Sequence, residues 1–476
     1  MGFICGLAVV LVIFEGIIIQ CDGGCSFSSN EEQDAQNIDT KLELPILPND
    51  IIELIVSKFD FETIKKTVQK GIVPGNCIVM SRILHDRIIV IEPELNEKIC
   101  GNNRGGMSIR NYEGLESFFK KFGDKVKKIE INLEEGRDIR SEESAKNTKS
   151  NKSIQNIFKK CAKNLEELQI ICFHDERFWD GLSDEENDII FPEVKNFQMK
   201  GDICRNDFKL NLIFPKLESF TLIGDVADVN CFENVKGLKE LELDTSSIQE
   251  DQFVDIFANN KDMTMICLNK PNRMQTLDSI AKHLTKLKTL AIQFPGDNFM
   301  LRVNSGTVYK LQSVTHFDII FGELGESFGI ENLSFDMPHL KRLTLNGYGA
   351  DDRIINFIEH FTELEKLDFN VGNYAPFECI EKLKHIKEFT TPFHENEFDS
   401  LKNMFKNFDK KSKLQTLKFE DFNESLYQKY ENELDRFNIH LKNFKKPTWT
   451  LSQEIETGKK YLMFRRDPCT CKSCKK

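Results

Sequence analysis

Leu238-Lys239-Glu240-Leu241-Glu242-Leu243 decides how the chain is read. Its apolar residues hold the first, fourth and sixth positions, and the last two alternate with acids, the two-residue period of a strand buried on one face. The same spacing recurs at Leu165/Leu168/Ile170, Leu217/Phe220/Leu222, Leu287/Leu290/Ile292, Leu340/Leu343/Leu345 and Leu364/Leu367/Phe369. Less regular instances are Val126/Ile129/Ile131, Val194/Phe197/Met199, Met263/Ile266/Leu268, Val314/Phe317/Ile319, Leu414/Leu417/Phe419 and Leu434/Phe437/Ile439. Successive starts at 194, 217, 238, 263, 287, 314, 340 and 364 lie 21 to 27 residues apart. A single unit cannot bury its apolar face, whereas stacked units can, so the period predicts a repeat solenoid.

The segments between the patterns carry apolar residues at helical spacing, such as Phe253, Ile256 and Phe257, or Ile354, Ile355, Phe357 and Ile358, which predicts helical returns that close each coil. In period and core the chain resembles leucine-rich repeats. It lacks their asparagine ladder: the position eight after the first apolar residue holds Asp225, Ser246, Pro295, Tyr348 and Gly372. An open α/β sheet built from unrelated strand–helix pairs is the alternative, since it also alternates the two periodicities. The expected fold class is thus α/β, a leucine-rich-repeat solenoid with a curved parallel sheet and helical returns, preceded by a small all-α module.

At 476 residues with a net charge of −12, the chain has room for a long solenoid and a small module. The acidic excess is spread along it and no basic stripe is present, which argues against nucleic acid as a partner. Cys161, Cys172, Cys204, Cys231, Cys267 and Cys379 are scattered singly beside strand positions, where a thiol serves as a small apolar side chain and points to a reducing compartment. The N-terminus points the other way. Residues 3–19 form an apolar run that resembles a secretory signal or an anchor, although no Lys or Arg precedes it and Glu15 lies inside it. At this length the run is short for a membrane span. The sequons at Asn151, Asn332 and Asn423 do not discriminate, because Asn and Ser are abundant.

A second informative segment begins at Leu47-Pro48-Asn49-Asp50. Proline suits a helix start, acids follow in the first turn, and apolar residues recur at Ile51, Ile52, Ile55 and Phe59, with Ile64 beyond. The segment resembles the F-box, the helical module by which substrate receptors dock onto the Skp-type adaptor of cullin ubiquitin ligases. The matching residues are Leu47, Pro48, Asp50 (where the family often has Glu), Ile51, Ile52, Ile55, Phe59 and Ile64, followed by Val79-Met80-Ser81-Arg82. The stretch 71–76 interrupts the family's second helix, and Ile83 and Leu84 replace the aromatic that commonly follows the Arg. The plain alternative is an N-terminal cap for the solenoid.

No phosphate-binding loop, paired-histidine metal helix or serine elbow is present, so no enzymatic activity and no cofactor are expected. His174 with Asp175 and Glu176, and His394 with Glu395 and Glu397, read as solvated loop residues rather than metal ligands. Cys469, Cys471 and Cys474 form a dense trio without a fourth ligand, compatible with a disulfide or a free tail.

The expected organisation is an apolar signal-like or anchor segment at 1–24, an acidic linker at 25–44, the F-box-like module at 45–90, a connector at 91–118, the solenoid at 119–445 and a basic, Cys-containing tail at 446–476. In this reading the partners are a Skp-type adaptor, through it a cullin, and a protein substrate. The substrate would be met by side chains that alternate with the core: Glu130, Gln169, Thr221, Glu242, Thr344 and Asp368. The compartment would be cytoplasmic or nuclear. The alternative function is a secreted or membrane-tethered repeat protein, with residues 45–90 acting only as a cap.

Overall fold

Eleven of the twelve apolar triplets each become one strand of one sheet. The computed structural model describes residues 84, 88–91, 107–109, 119–120, 122–132, 154–171, 183–184, 187–201, 203, 208–224, 229–244, 250–269, 275–294, 307–321, 334–347, 352–371, 377–393, 400–401, 404, 413–420, 428–429, 431–432, 434–436, 449–456 and 459–466. The proposed adaptor-docking residues, Leu47 to Ile64, lie outside these, as do the apolar segment at 3–19, both candidate histidine clusters and the cysteine trio. The chain divides into Met1–Pro48 and Asn49–Lys476, and everything described below belongs to the second unit.

The sheet has sixteen strands. In chain order they are β1 (Ile88–Ile91), β2 (Met107–Ile109), β3 (Lys128–Asn132), β4 (Glu167–Ile171), β5 (Asn196–Lys200), β6 (Ser219–Ile223), β7 (Glu240–Asp244) and β8 (Met265–Asn269). There follow β9 (Thr289–Gln293), β10 (His316–Ile320), β11 (Arg342–Gly347), β12 (Lys366–Val371), β13 (Glu388–Pro392), β14 (Thr416–Glu420), β15 (Trp449–Glu456) and β16 (Lys459–Arg466). From β3 to β14, neighbours in sequence are neighbours in space and every pairing is parallel. The molecule is therefore an α/β protein with a long, mostly parallel sheet that advances one strand per coil, as a solenoid does.

The register follows the pattern. The fourth-position residues Ile129, Leu168, Phe197, Phe220, Leu241, Ile266, Leu290, Phe317, Leu343, Leu367, Phe389 and Leu417 stand directly opposite one another across the sheet. All are buried, as are the first-position residues that precede them, such as Leu217, Leu238, Leu287 and Leu340. Burying each such side chain contributes about 1.5–3 kcal/mol relative to exposure. Where each strand begins, one carbonyl accepts from two successive amides of the next coil: Lys239 O from Thr264 N and Met265 N, Thr264 O from Lys288 N and Thr289 N, Lys288 O from Thr315 N and His316 N. This doubled acceptance satisfies backbone donors that no strand partner reaches.

A further apolar position, three residues before each triplet, closes the coil. It holds Phe191, Phe214, Val235, Leu284, Leu311, Met337, Phe361 and Leu383, all buried. In the coil leading to β8 the position is Asn260, which is almost wholly buried and pays its desolvation with three bonds: it accepts from Leu238 N and donates to Val235 O and Ile256 O. On the N-terminal side the buried aromatics touch in series, Phe158 to Phe191, Phe191 to Phe214, Phe214 to Phe197, Phe197 to Phe220 and Phe220 to Phe232, with centroids 4.5–5.7 Å apart. Such pairs add about 0.5–1.5 kcal/mol each beyond burial.

Return helices are short: α1 (Leu210–Ile213), α2 (Glu250–Asn259), α3 (Gln275–His283), α4 (Asp352–Glu359) and α5 (Phe377–Lys382). They bury the expected stripe, Phe253, Ile256 and Phe257 on α2 and Ile354, Phe357 and Ile358 on α4. Not every return is helical. Val308–Lys310 and Ser334–Asp336 pair as a small parallel sheet, with Tyr309 buried and Phe335 set edge-on to Phe317 and Phe357. Among the described residues no helix is long and apolar enough to cross a membrane.

The sheet extends beyond the expected solenoid at both ends. Where the sequence suggests the end of a helical module and a connector, residues 88–91 form a strand between β3 and β2. Its run Ile88-Ile89-Val90-Ile91 is continuously apolar and so carries no alternation to recognise. Where the sequence suggests a tail from 446, β15 and β16 form an antiparallel hairpin that docks on β14, with Trp449, Leu462 and Phe464 in the core. The triplet read at Leu434 is a different element: residues 434–436 are helical, because a first-to-fourth spacing of three also suits a helix turn. Gly347, at the end of β11, is required by geometry. Its φ is +151°, and a Cβ there would lie 2.6 Å from Phe321 Cβ.

Candidate binding face of the sheet

Alternation sends the fifth residue of every pattern to the side opposite the core. Registered pairing then strings these residues into a row: Glu130, Gln169, Gln198, Thr221, Glu242, Cys267, Ala291, Asp318, Thr344, Asp368, Thr390 and Lys418, each directly opposite the next. All six candidate substrate-facing residues stand in this single row. Glu130 is the least accessible at 8% exposed, while Gln169, Thr221, Glu242, Thr344 and Asp368 are half-buried. The members overlooked from sequence share the same position in their triplets. Thr390 escaped because its triplet, Ile386/Phe389/Thr391, ends in a threonine that is fully buried with its Oγ1 unpartnered.

The third and seventh positions flank this row. On β11–β14 they join it in a ladder of charges: Arg342 Nη2 lies 3.0 Å from Asp368, Lys366 Nζ 3.7 Å from Asp368 and 2.8 Å from Glu388, and Lys418 Nζ 3.0 Å from Glu388. Lys418 also sits 5.9 Å from the ring centre of Tyr461 on β16. Burial opposes ionisation of Glu388, but hydrogen bonds from Lys366 and Lys418 outweigh it and hold the carboxyl below its ordinary value.

On β6–β10 the arrangement changes. Strand β7 carries Glu240 and Glu242 on this face and ends at the buried Asp244, and β10 carries Asp318. Ser219 donates to Glu240 at 3.0 Å and Thr221 to Glu242 at 3.5 Å, but neither glutamate forms an ion pair among the described residues. Asp318 Oδ1 is shielded from water without a hydrogen-bond partner, as is the hydroxyl of Thr344 opposite it. The thiol of Cys267 is pushed up to about 12, first by burial and then by Glu242 and Asp318. It is therefore a neutral floor residue rather than a nucleophile.

Along the edge where the strands begin, a separate column alternates in sign: Lys127, Glu166, Lys195, Glu218 and Lys239, and later Lys341, Glu365 and Lys387. Contacts include Lys127–Glu166 at 3.0 Å, Lys239–Glu218 at 2.5 Å, Lys341–Glu365 at 3.1 Å and Lys387–Glu365 at 2.5 Å. Glu218 is held below its usual carboxylate value by Lys239, and Glu365 by Lys387 and Lys341. These exposed pairs favour the observed register more than they add stability.

Among the described residues no group of three or more His, Cys, Asp or Glu is arranged to hold a metal ion. Cys161, Cys231, Cys267 and Cys379 are free thiols, three of them buried as packing residues. What the face offers chemically is a registered array of hydrogen-bonding and charged groups, suited to recognition. No protein-family model and no curated protein matches the chain.

Proposed function

We propose that the chain is a non-catalytic recognition subunit of a cullin-type ubiquitin ligase, in which the F-box-like segment docks a Skp-type adaptor and a leucine-rich-repeat-type solenoid holds a protein substrate. The observation that carries the recognition half is the uninterrupted row from Glu130 to Lys418, which lies on a face free of apolar core and spans twelve successive coils. The adaptor half is supported by the sequence pattern Leu47-Pro48 followed by Asp50, Ile51, Ile52, Ile55, Phe59 and Ile64. Ubiquitin transfer itself would belong to the other subunits.

The test is binding of the full chain to a purified Skp-type adaptor. Wild type is expected to bind, and Pro48→Ala with Ile52→Asp to lose binding, because a carboxylate on an apolar docking face is costly to desolvate. Retained binding in the double variant would discard the proposed surface. Failure of the wild type to bind, together with a mature N-terminus near Gly24, would favour the secreted repeat protein suggested by the apolar run at 3–19.

A further inference from the structure

We draw no further inference here: the strongest candidate, the exposed apolar patch of Ile190 and Leu212 on neighbouring returns, which the hydrogen bond from Phe191 N to Ile213 O holds side by side, carries nothing because nothing in the structure shows what covers it.

Discussion

Two stretches of one face, β7–β10 and β11–β14, share backbone, register and core yet treat charge in opposite ways. In the second, Asp368 and Glu388 are flanked by Arg342, Lys366 and Lys418 at ion-pairing distance. In the first, among the described residues, Glu240 and Glu242 receive hydroxyl hydrogen bonds from Ser219 and Thr221, Glu242 also interacts with Cys267, and neither forms an ion pair. Cross-strand pairs of opposite sign stabilise a sheet, so the paired half contributes to holding neighbouring coils together. Among the described residues Glu240 and Glu242 form no such pair, so the first stretch adds less of this kind. A repeat scaffold thus allows the charge pattern of the face to change from coil to coil without altering the coil itself.

The comparison requires that the halves be equal underneath. Leu243, below the acidic strand, and Leu345, below the ladder, are both fully buried at the sixth position of their patterns. Leu243→Ala and Leu345→Ala are each expected to destabilise by about 2–5 kcal/mol, measured by urea denaturation. Costs differing by more than about 2 kcal/mol would mean that the halves differ in packing and not only on the surface.

That equality was legible in the sequence, because a two-residue alternation repeated at near-constant period fixes which residues face the core and which face out. The ion pairs were not. The residues opposite Asp368, Thr344 and Thr390, follow from the pattern, but its cations come from third positions, Arg342 on the preceding strand and Lys366 on its own, and alternation does not say which way such long side chains lean. The terminal hairpin was missed for a related reason: Leu462 and Phe464 alternate correctly, but they follow no first-position residue and sit among Lys459, Lys460, Arg465 and Arg466, which read as a basic tail. Ile88–Ile91 lacks alternation altogether, and Asn260 shows that a closing position can be polar when three backbone groups converge on it.

Removing single charges separates the halves directly. Glu388→Gln, which weakens contacts to Lys366 and Lys418, should cost about 1 kcal/mol. Glu242→Gln should be neutral or slightly stabilising, since it relieves repulsion along β7. An equal cost at both positions, read from the same denaturation curves, would erase the distinction.

The smallest effect is in the pH dependence. Glu388 has a folded pKa below its ordinary 4.5, so its contribution is fully present above that value and is lost as pH falls through the lower folded one. Wild type should therefore lose stability between about pH 5 and about pH 3, and Glu388→Gln should show a shallower slope over that interval. Identical slopes would show that Lys366 and Lys418 do not select the ionised carboxylate.

The hairpin of β15 and β16 also limits how this molecule can change in length. Within β3–β14 the chain enters and leaves every coil in the same direction, so duplicating a coil preserves all neighbouring registers and lengthens the face by one strand. Past β14 the neighbour is antiparallel, and an extra coil inserted there would have to displace β16 before it could pair. Lineages of this chain should accordingly gain and lose coils in the interior and keep their last two strands as a fixed terminus.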